Sequence, residues 1–366
     1  MRVLLVHDEP IEAGYGAEAY LRRLAAGLRA AGDTVEVFAG ERRHRGLRKA
    51  LDVWDPGARR MLAARARAFA PDVVHHHNVS RELSASVLGA VAVPEVMTLH
   101  DRRLFGAREH RVGSPKRVAE AAAAAAVLRA ARRNLSATIG VSDEVSRLAR
   151  GAGLPAVSTV GVPAAEPVGV LVPAQQCRDL LVAARLAPDK GIDVVIDAFA
   201  RLGEDARGSR LLIAGAGPME AALRRKAQPL GSRVEFLGWL DELELSGLLG
   251  RVRALVVASV PGRRPEGSSL AAVEAARHRR VVVGSDDPAV AELVRGLGAG
   301  PVVPAGDASA LSLALREVLS DDAAVAAYAE AAGASAAQSH SIEAVTAATR
   351  EVYRRALAGS PGGRRA

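Results

Sequence analysis

The sequence predicts an α/β protein of two domains, each a parallel sheet joined through crossover helices, and three observations carry that reading. Short β-like runs alternate with amphipathic helical stretches throughout, the order that a parallel sheet requires. The alternation stops once, between Val160 and Cys177, where Pro163, Pro167 and Pro173 stand in a stretch without periodicity, and then restarts. The 366 residues also exceed what one core of ordinary size accommodates. The expected boundaries are residues 1–162 for the first domain, 163–177 for a linker and 178–341 for the second. Two domains imply a cleft, with a hinge at the linker that closes it.

In the first half, strands are expected at Val3 to Val6, Thr34 to Phe38, Val73 to His75, Val96 to Leu99 and Ala137 to Val141. A helix over Ala17 to Ala31 ends at Gly32, a residue suited to a left-handed cap. A second helix, Val118 to Arg133, carries six consecutive alanines, which favour helix but give little amphipathic character. In the second half the expected strands are Asp179 to Ala184, Arg210 to Ala214, Arg233 to Leu237, Ala254 to Ala258 and Arg280 to Gly284. A last helix, Ile342 to Leu357, lies far beyond the final strand.

Hydrophobic residues make up 49% of the chain and charged residues 25%, which suffices for two cores and argues against disorder. No apolar run approaches the ~20 residues that cross a bilayer. The opening MRVLLVHDEP reaches His7 and Asp8 before a signal-peptide core could form, so the expected location is the cytoplasm. Cys177 is the one cysteine, which excludes an internal disulfide and a four-cysteine zinc site. The net charge of +8 predicts a surface that attracts anions. Two basic clusters, Arg42 to Lys49 and Arg102 to Arg117, could touch phosphate head groups at the inner face of a membrane or an anionic acceptor; a solvated basic face is an equal reading. With aromatic residues at 3% there is no stacking platform beside them, and nucleic acid is not an expected partner.

The chemistry concentrates in the second half. In PEGSSLAAVEAA, Glu266 and Glu274 bracket an expected helix start at Ser268 or Ser269. Serine can cap the first-turn N–H groups, or those groups and the positive end of the helix dipole can hold a phosphate. At about 1.5 Å of rise per residue, Glu274 stands roughly 9 Å along the helix, so the two carboxylates can grip two parts of one elongated ligand. In LLVAARLAPDKGIDVVIDAF, Arg185 follows a strand and Lys190 stands in the turn before the next helix. Two cations on such a loop can neutralise a leaving diphosphate as a glycosidic bond breaks.

These segments together resemble the retaining GT-B glycosyltransferases of glycosyltransferase family 4. Arg185, Lys190 and Gly191 resemble its R-L-x-x-x-K-G segment, LLIAGAGPMEAAL its strand and G-x-G-P turn, VEFLGWL its F-x-G segment, and Glu266 with Glu274 its E-x7-E signature. In the first half, Gly14 to Glu18 resemble the G-G-x-E loop, DVVHHHN the D-V-V-H-x-H-N strand end, and VPEVMTLHD the strand that ends on a His-Asp pair, here His100 and Asp101. The resemblance implies two facing Rossmann-like domains with a central cleft, the final helix, within residues 342–366, packing back on the first. It implies that Arg185 and Lys190 bind the diphosphate with backbone amides at Ser268, Ser269 and Leu270. Glu266 would hold the transferred sugar and Glu274 the ribose, with Gly217 and Trp239 near the base. The loop of Gly14 and Gly16 would close over the donor phosphates, and His100 would lie beside the sugar. The donor is then a nucleoside-diphosphate sugar. The acceptor is a carbohydrate, a lipid-linked glycan or a secondary metabolite, and the anomeric configuration is retained by same-face attack. No protein nucleophile, cofactor or obligatory metal is expected. The chain departs from the family at Val160, Gly161 and Val162, at Asp287 to Ala289, and in a shortened stretch after Asp101.

Other readings stand beside this one. GYGAEA, Gly14 to Ala19, fits the dinucleotide pattern G-x-G-x-x-A with Glu36 beyond it, but HDEPIEA separates the first glycine from the strand. His75, His76 and His77 invite a metal, yet consecutive strand residues alternate faces and cannot converge on one ion. A relative that binds nucleotide sugars or glycans without turnover, or a GT-B epimerase, would keep the same fold.

Overall fold

The computed structural model describes residues 1–11, 16–40, 53–77, 79, 83–106, 115–260 and 266–359. They fall into two compact units, Met1–Pro163 with Ile342–Ala366, and Ala164–Ser341. The expected cluster Arg42 to Lys49, Gly14 and most of the span between Arg102 and Arg117 lie outside the described residues.

In the N-terminal unit β1 (Arg2–His7), β2 (Thr34–Ala39), β3 (Val73–His77), β4 (Glu95–Leu99), β5 (Ala137–Gly140) and β6 (Val157–Thr159) form a parallel sheet in the order β2-β1-β3-β4-β5-β6. Every residue of β3 and β4 is buried, as befits central parallel strands covered on both faces. The helices α1 (Ala17–Ala30), α2 (Pro56–Phe69), α3 (Pro115–Asn134) and α4 (Asp143–Gly151) alternate with the strands. Asp55 caps α2 by accepting from the amides of Gly57 and Ala58, with Pro56 in the first turn where its missing N–H costs nothing.

The C-terminal unit repeats the plan. Its strands are β7 (Leu180–Ala183), β8 (Leu211–Ala214), β9 (Val234–Gly238), β10 (Ala254–Val257), β11 (Val281–Ser285) and β12 (Val302–Val303), paired in parallel in the order β12-β11-β10-β7-β8-β9. The helices are α5 (Ile192–Leu202), α6 (Glu220–Ala227), α7 (Glu242–Leu249), α8 (Leu270–Arg277), α9 (Pro288–Leu297), α10 (Ala308–Ser320) and α11 (Asp322–His340). The pleat divides each strand between two apolar layers: Leu180, Val182, Leu211 and Ile213 feed one, and Leu181, Leu212, Leu255 and Val282 the other.

The chain then returns to the N-terminal unit as α12 (Ile342–Ala358). It lies against α1 at Gly27, where any side chain would collide with Ile342 and Thr346. Of residues 163–177, expected from their prolines as a linker, residues 164–177 belong to the C-terminal unit. The Val168 amide donates to the Ser246 hydroxyl at 3.0 Å, and the buried Arg280 guanidinium reaches the Val172 carbonyl at 2.7 Å.

The sequence pattern does not predict the edge strands β6 and β12, which are three and two residues long and partly exposed. Neither has an apolar run of its own, and the neighbouring strand supplies the pairing. The helix expected over Val118 to Arg133 starts earlier, at Pro115, and ends at Asn134. Among the described residues no helix is long and apolar enough to cross a membrane.

Each sheet has one place where consecutive connections leave in opposite directions, between β1 and β3 in the first and between β7 and β10 in the second. Loops at the carboxyl ends of such strands part and leave a crevice for ligands. His7 and His77 end the first pair of strands, and the segments after Ala183 and Val257 leave the second.

Candidate functional site

In the C-terminal unit the turn after β7 carries Arg185, a 3-10 turn Pro188–Lys190, and Gly191, whose φ of 60° and close approach to the Ala258 carbonyl both demand glycine. The Val260 amide donates to the Asp189 carbonyl at 3.0 Å, which ties this turn to the segment leaving β10. The switch point thus brings residues some 70 positions apart in sequence into contact. Lys190 Nζ donates to Glu266 Oε1, and the Ser259 hydroxyl donates to the same oxygen at 2.9 Å. Ser259 is itself held, its carbonyl accepting from the buried Ser285 hydroxyl at 2.6 Å. Both contacts fall on Oε1. Among the described residues Oε2 has no hydrogen-bond partner. Arg185 leans on Asp189, with Nη2 3.0 and 3.2 Å from the two carboxylate oxygens.

Glu266 precedes α8, and Ser269 caps that helix, its hydroxyl accepting from the Ala272 amide at 3.3 Å. Ser268 and Leu270 flank the cap, where first-turn N–H groups have no acceptor within the helix. Glu274 lies half-buried one turn further on, and its carbonyl accepts from both the amide and Nδ1 of His278. The glycine turn after β8 presses against the Arg185 turn: a Cβ on Gly215 would strike the Ala184 carbonyl, and one on Gly217 the backbone of Leu186. Gly215 moreover has φ +135°, outside the reach of ordinary side chains. Trp239, after β9, is 59% exposed. Thus Arg185, Lys190, Glu266 and the cap of α8 gather around the β7–β10 switch, with the glycine turn beside the first of them.

The N-terminal unit gathers a different group. Gly16, φ 74°, stands at the N-terminus of α1. His7 donates from Nδ1 to the His77 carbonyl at 2.9 Å and meets Glu18 Oε1 through Nε2 at 3.3 Å. Carbonyl and carboxylate oxygens only accept, so both ring nitrogens of His7 carry protons. Its pKa is raised accordingly: burial opposes the charge, but the Glu18 and His77 hydrogen bonds and the charges of Glu18 and Asp8 outweigh it. Glu18 is lowered, burial being outweighed by the same contact with His7.

His100 follows β4 and keeps part of its surface in solvent. Its Nε2 lies 2.9 Å from His77 Nδ1, and the Tyr20 ring meets it edge-on at 4.8 Å between centroids. Burial, reinforced by the charge on His7, lowers its pKa to about 3. His75 and His77 are lowered well below the usual histidine range, again by burial first and then by neighbouring histidines. His75 bridges Tyr353 of α12 at 2.6 Å and Thr98 at 2.7 Å. His76 points to the other face of the sheet, where it meets the buried Glu95 at 3.1 Å. The three histidines are therefore divided between faces. Among the described residues no three His, Cys, Asp or Glu side chains are placed to hold a metal ion.

Sequence reasoning passes over several residues on which these arrangements depend. Ser259 and Asp189 carry no motif of their own and become visible only when the strands are paired. His7, Glu18 and His77 stand at the ends of predicted elements, but nothing in their spacing shows that they meet.

Residues 15–163 match the family Glycosyltransferase Family 4, and residues 177–321 match Glycosyl transferases group 1. The glycogen synthase of Mycobacterium tuberculosis H37Rv is 31% identical over 294 residues, a span of 78% of this chain and 69% of that protein. A phosphatidyl-myo-inositol mannosyltransferase of Mycobacterium leprae is 34% identical over 166 residues, covering 45% of this chain and 43% of that one. Among solved structures, a sucrose-phosphate synthase of Thermosynechococcus elongatus superposes with a TM-score of 0.80 at 18% identity, covering 98% of this chain and all of that one (100%). Anabaena Alr3699/HepE in complex with UDP and glucose gives 0.71 at 20% identity, covering 96% and 99%. The fold is GT-B, two parallel six-stranded sheets with helices.

Proposed function

The chain belongs to the group 1, family 4 glycosyltransferases, and from that premise we propose that it moves a sugar from a nucleoside-diphosphate sugar, with retention of configuration, to a hydroxyl of a glycan, lipid-linked or natural-product acceptor. The observation that supports this reading most is the meeting of Lys190, Glu266 and Ser259 at the β7–β10 switch, with Arg185 on the adjoining turn. A diphosphate arriving there exchanges the carboxylate partners of Arg185 and Lys190 for its own oxygens, and charge grows on it as the glycosidic bond breaks. The cap of α8 adds the amides of Ser268, Ser269 and Leu270. Glu266, released by Lys190 but still held by Ser259, then accepts from the sugar hydroxyls, Glu274 from the ribose. Gly217 and Trp239 border the base, Gly16 serves the phosphates, and His100 contacts the transferred sugar. A donor phosphate oxygen takes the acceptor proton in same-face attack, and no obligatory metal takes part. The complex of Anabaena Alr3699/HepE with UDP and glucose fits a donor of this class.

The test is a thermal-shift screen against nucleoside-diphosphate sugars, since a ligand that prefers the folded state raises its apparent stability. It is followed by NMR of the anomeric proton during slow donor hydrolysis. Stabilisation by one donor and release of the retained anomer are expected. Stabilisation without any turnover would identify a binding relative, and inversion would overturn the mechanism.

A further inference from the structure

His77 is wholly buried, and its two ring nitrogens have unequal surroundings. Nδ1 faces His100 Nε2 at 2.9 Å, whereas Nε2 is buried and has no hydrogen-bond partner among the described residues. Two neutral imidazoles can share that contact in two ways. If His100 donates, the proton of His77 must sit on its Nε2, which leaves a buried N–H without an acceptor. Orphaned buried N–H groups are rare in folded proteins, because each forfeits its hydrogen bond to water without replacement. If His77 donates, its Nε2 holds only a lone pair and the penalty is smaller. The second arrangement requires the proton of His100 on Nδ1.

Three neighbours hold this arrangement in place. The His77 carbonyl accepts from the doubly protonated His7, fixing the backbone at the strand end. The Tyr20 ring meets His77 at 5.7 Å and His100 at 4.8 Å, and the His75 ring lies against His77, tilted by 41° with centroids 4.0 Å apart. His7 is the positive group near His100, opposed by Glu18 and Asp101, and the burial already described keeps His77 and His100 neutral.

We infer that His77 is a positioning residue that fixes His100 as the Nδ1–H tautomer, so that His100 presents a neutral hydrogen-bond donor to a ligand oxygen. With Nε2 accepting from His77, His100 has no lone pair left with which to remove a proton. The group it recognises is a hydroxyl or phosphoryl oxygen of the bound donor. The significance of this tautomer rests on the proposed donor site, but the tautomer itself is measurable without any ligand.

The experiment is long-range proton–nitrogen NMR of the full chain labelled on histidine, with His100→Gln used to assign the His100 ring. Wild type is expected to show His100 protonated on Nδ1 and bare on Nε2. His77→Phe removes the donor, and His100 then takes the Nε2–H form that free imidazole side chains prefer. His77→Asn places an amide N–H where Nδ1 stood and restores the Nδ1–H form. Turnover should follow: His77→Phe loses about tenfold in kcat, and His77→Asn recovers to within about threefold of wild type. An Nε2–H ring in wild type overturns the inference, as does an Nδ1–H ring that persists in His77→Phe. Should His77→Phe fail to fold, wild type and His77→Asn still decide the matter, because loss of the Nδ1–H form in His77→Asn also overturns it. Absence of transferase activity with the tautomer as described would instead count against the proposed function alone.

Discussion

Lys190 and Glu266 keep 20% and 15% of their side-chain surface in solvent, whereas His75, His76 and His77 keep none. The first pair is charged, sits on loops and can exchange its partners for a ligand's. The histidines end a central strand, and His75 and His77 are held neutral, with contacts already settled by packing. The two units therefore place similar stakes on different terms. Partly exposed ion pairs contribute little to stability, so the fold should tolerate loss of the C-terminal charges, and any effect of removing them should fall on the proposed donor binding. A buried polar network is costly to break, so the N-terminal histidines should show in stability as well as in activity.

The largest expected effect falls on the first side of this contrast. Lys190→Ala and Glu266→Ala should each lower kcat/KM by about a hundredfold or more while the melting temperature stays nearly unchanged, and Arg185→Ala should follow the same pattern. Steady-state kinetics beside thermal denaturation separates the two quantities, and wild-type turnover in all three would mean that these residues do not serve the donor.

On the other side, acid should destabilise the N-terminal unit. The folded-state pKa values of His75, His77 and His100 lie below the unfolded value of 6.5, that of His100 at about 3. Below pH 6.5 the unfolded chain gains protons that the folded one refuses, so stability falls as pH drops. His7 has the opposite sign: its raised pKa adds stability below 6.5 that is lost as pH rises through the folded value. Three groups outweigh one, and urea denaturation followed from pH 7.5 to 4.5 should show a net loss on the acid side. A flat profile would mean that the histidines are not buried neutral.

Smaller effects sharpen the contrast. Tyr353→Phe deletes the hydroxyl that meets His75 and should cost about 1–3 kcal/mol in denaturant unfolding. Ser259→Ala leaves Glu266 to Lys190 alone and should reduce kcat/KM about three- to tenfold, with no change in stability beyond about 1 kcal/mol.

Much of this was legible in the chain. Buried parallel strands are near-continuous apolar runs, and VLLV, LLIA and VVVG announce themselves without help from neighbours. The Arg185 to Gly191 turn and a serine cap at Ser268 or Ser269 were legible because each is a local device, made by residues adjacent in sequence; the structure assigns the cap to Ser269. The edge strands β6 and β12 were not, because so short a strand is defined by its partner. The same holds for Ser259 beneath Glu266 and for His7 beside Glu18.

The α/β alternation, the helix end at Gly32, the serine start of α8, and the loops that carry the cations and carboxylates all follow from the amino-acid order, because these depend on neighbours a few residues apart. Lys190 meets Glu266 across 76 positions, and His77 meets His100 across 23, once the strands are ordered, and burial then selects the histidines that stay neutral. Strand order and burial set those outcomes, and both depend on contacts between segments that no local pattern encodes.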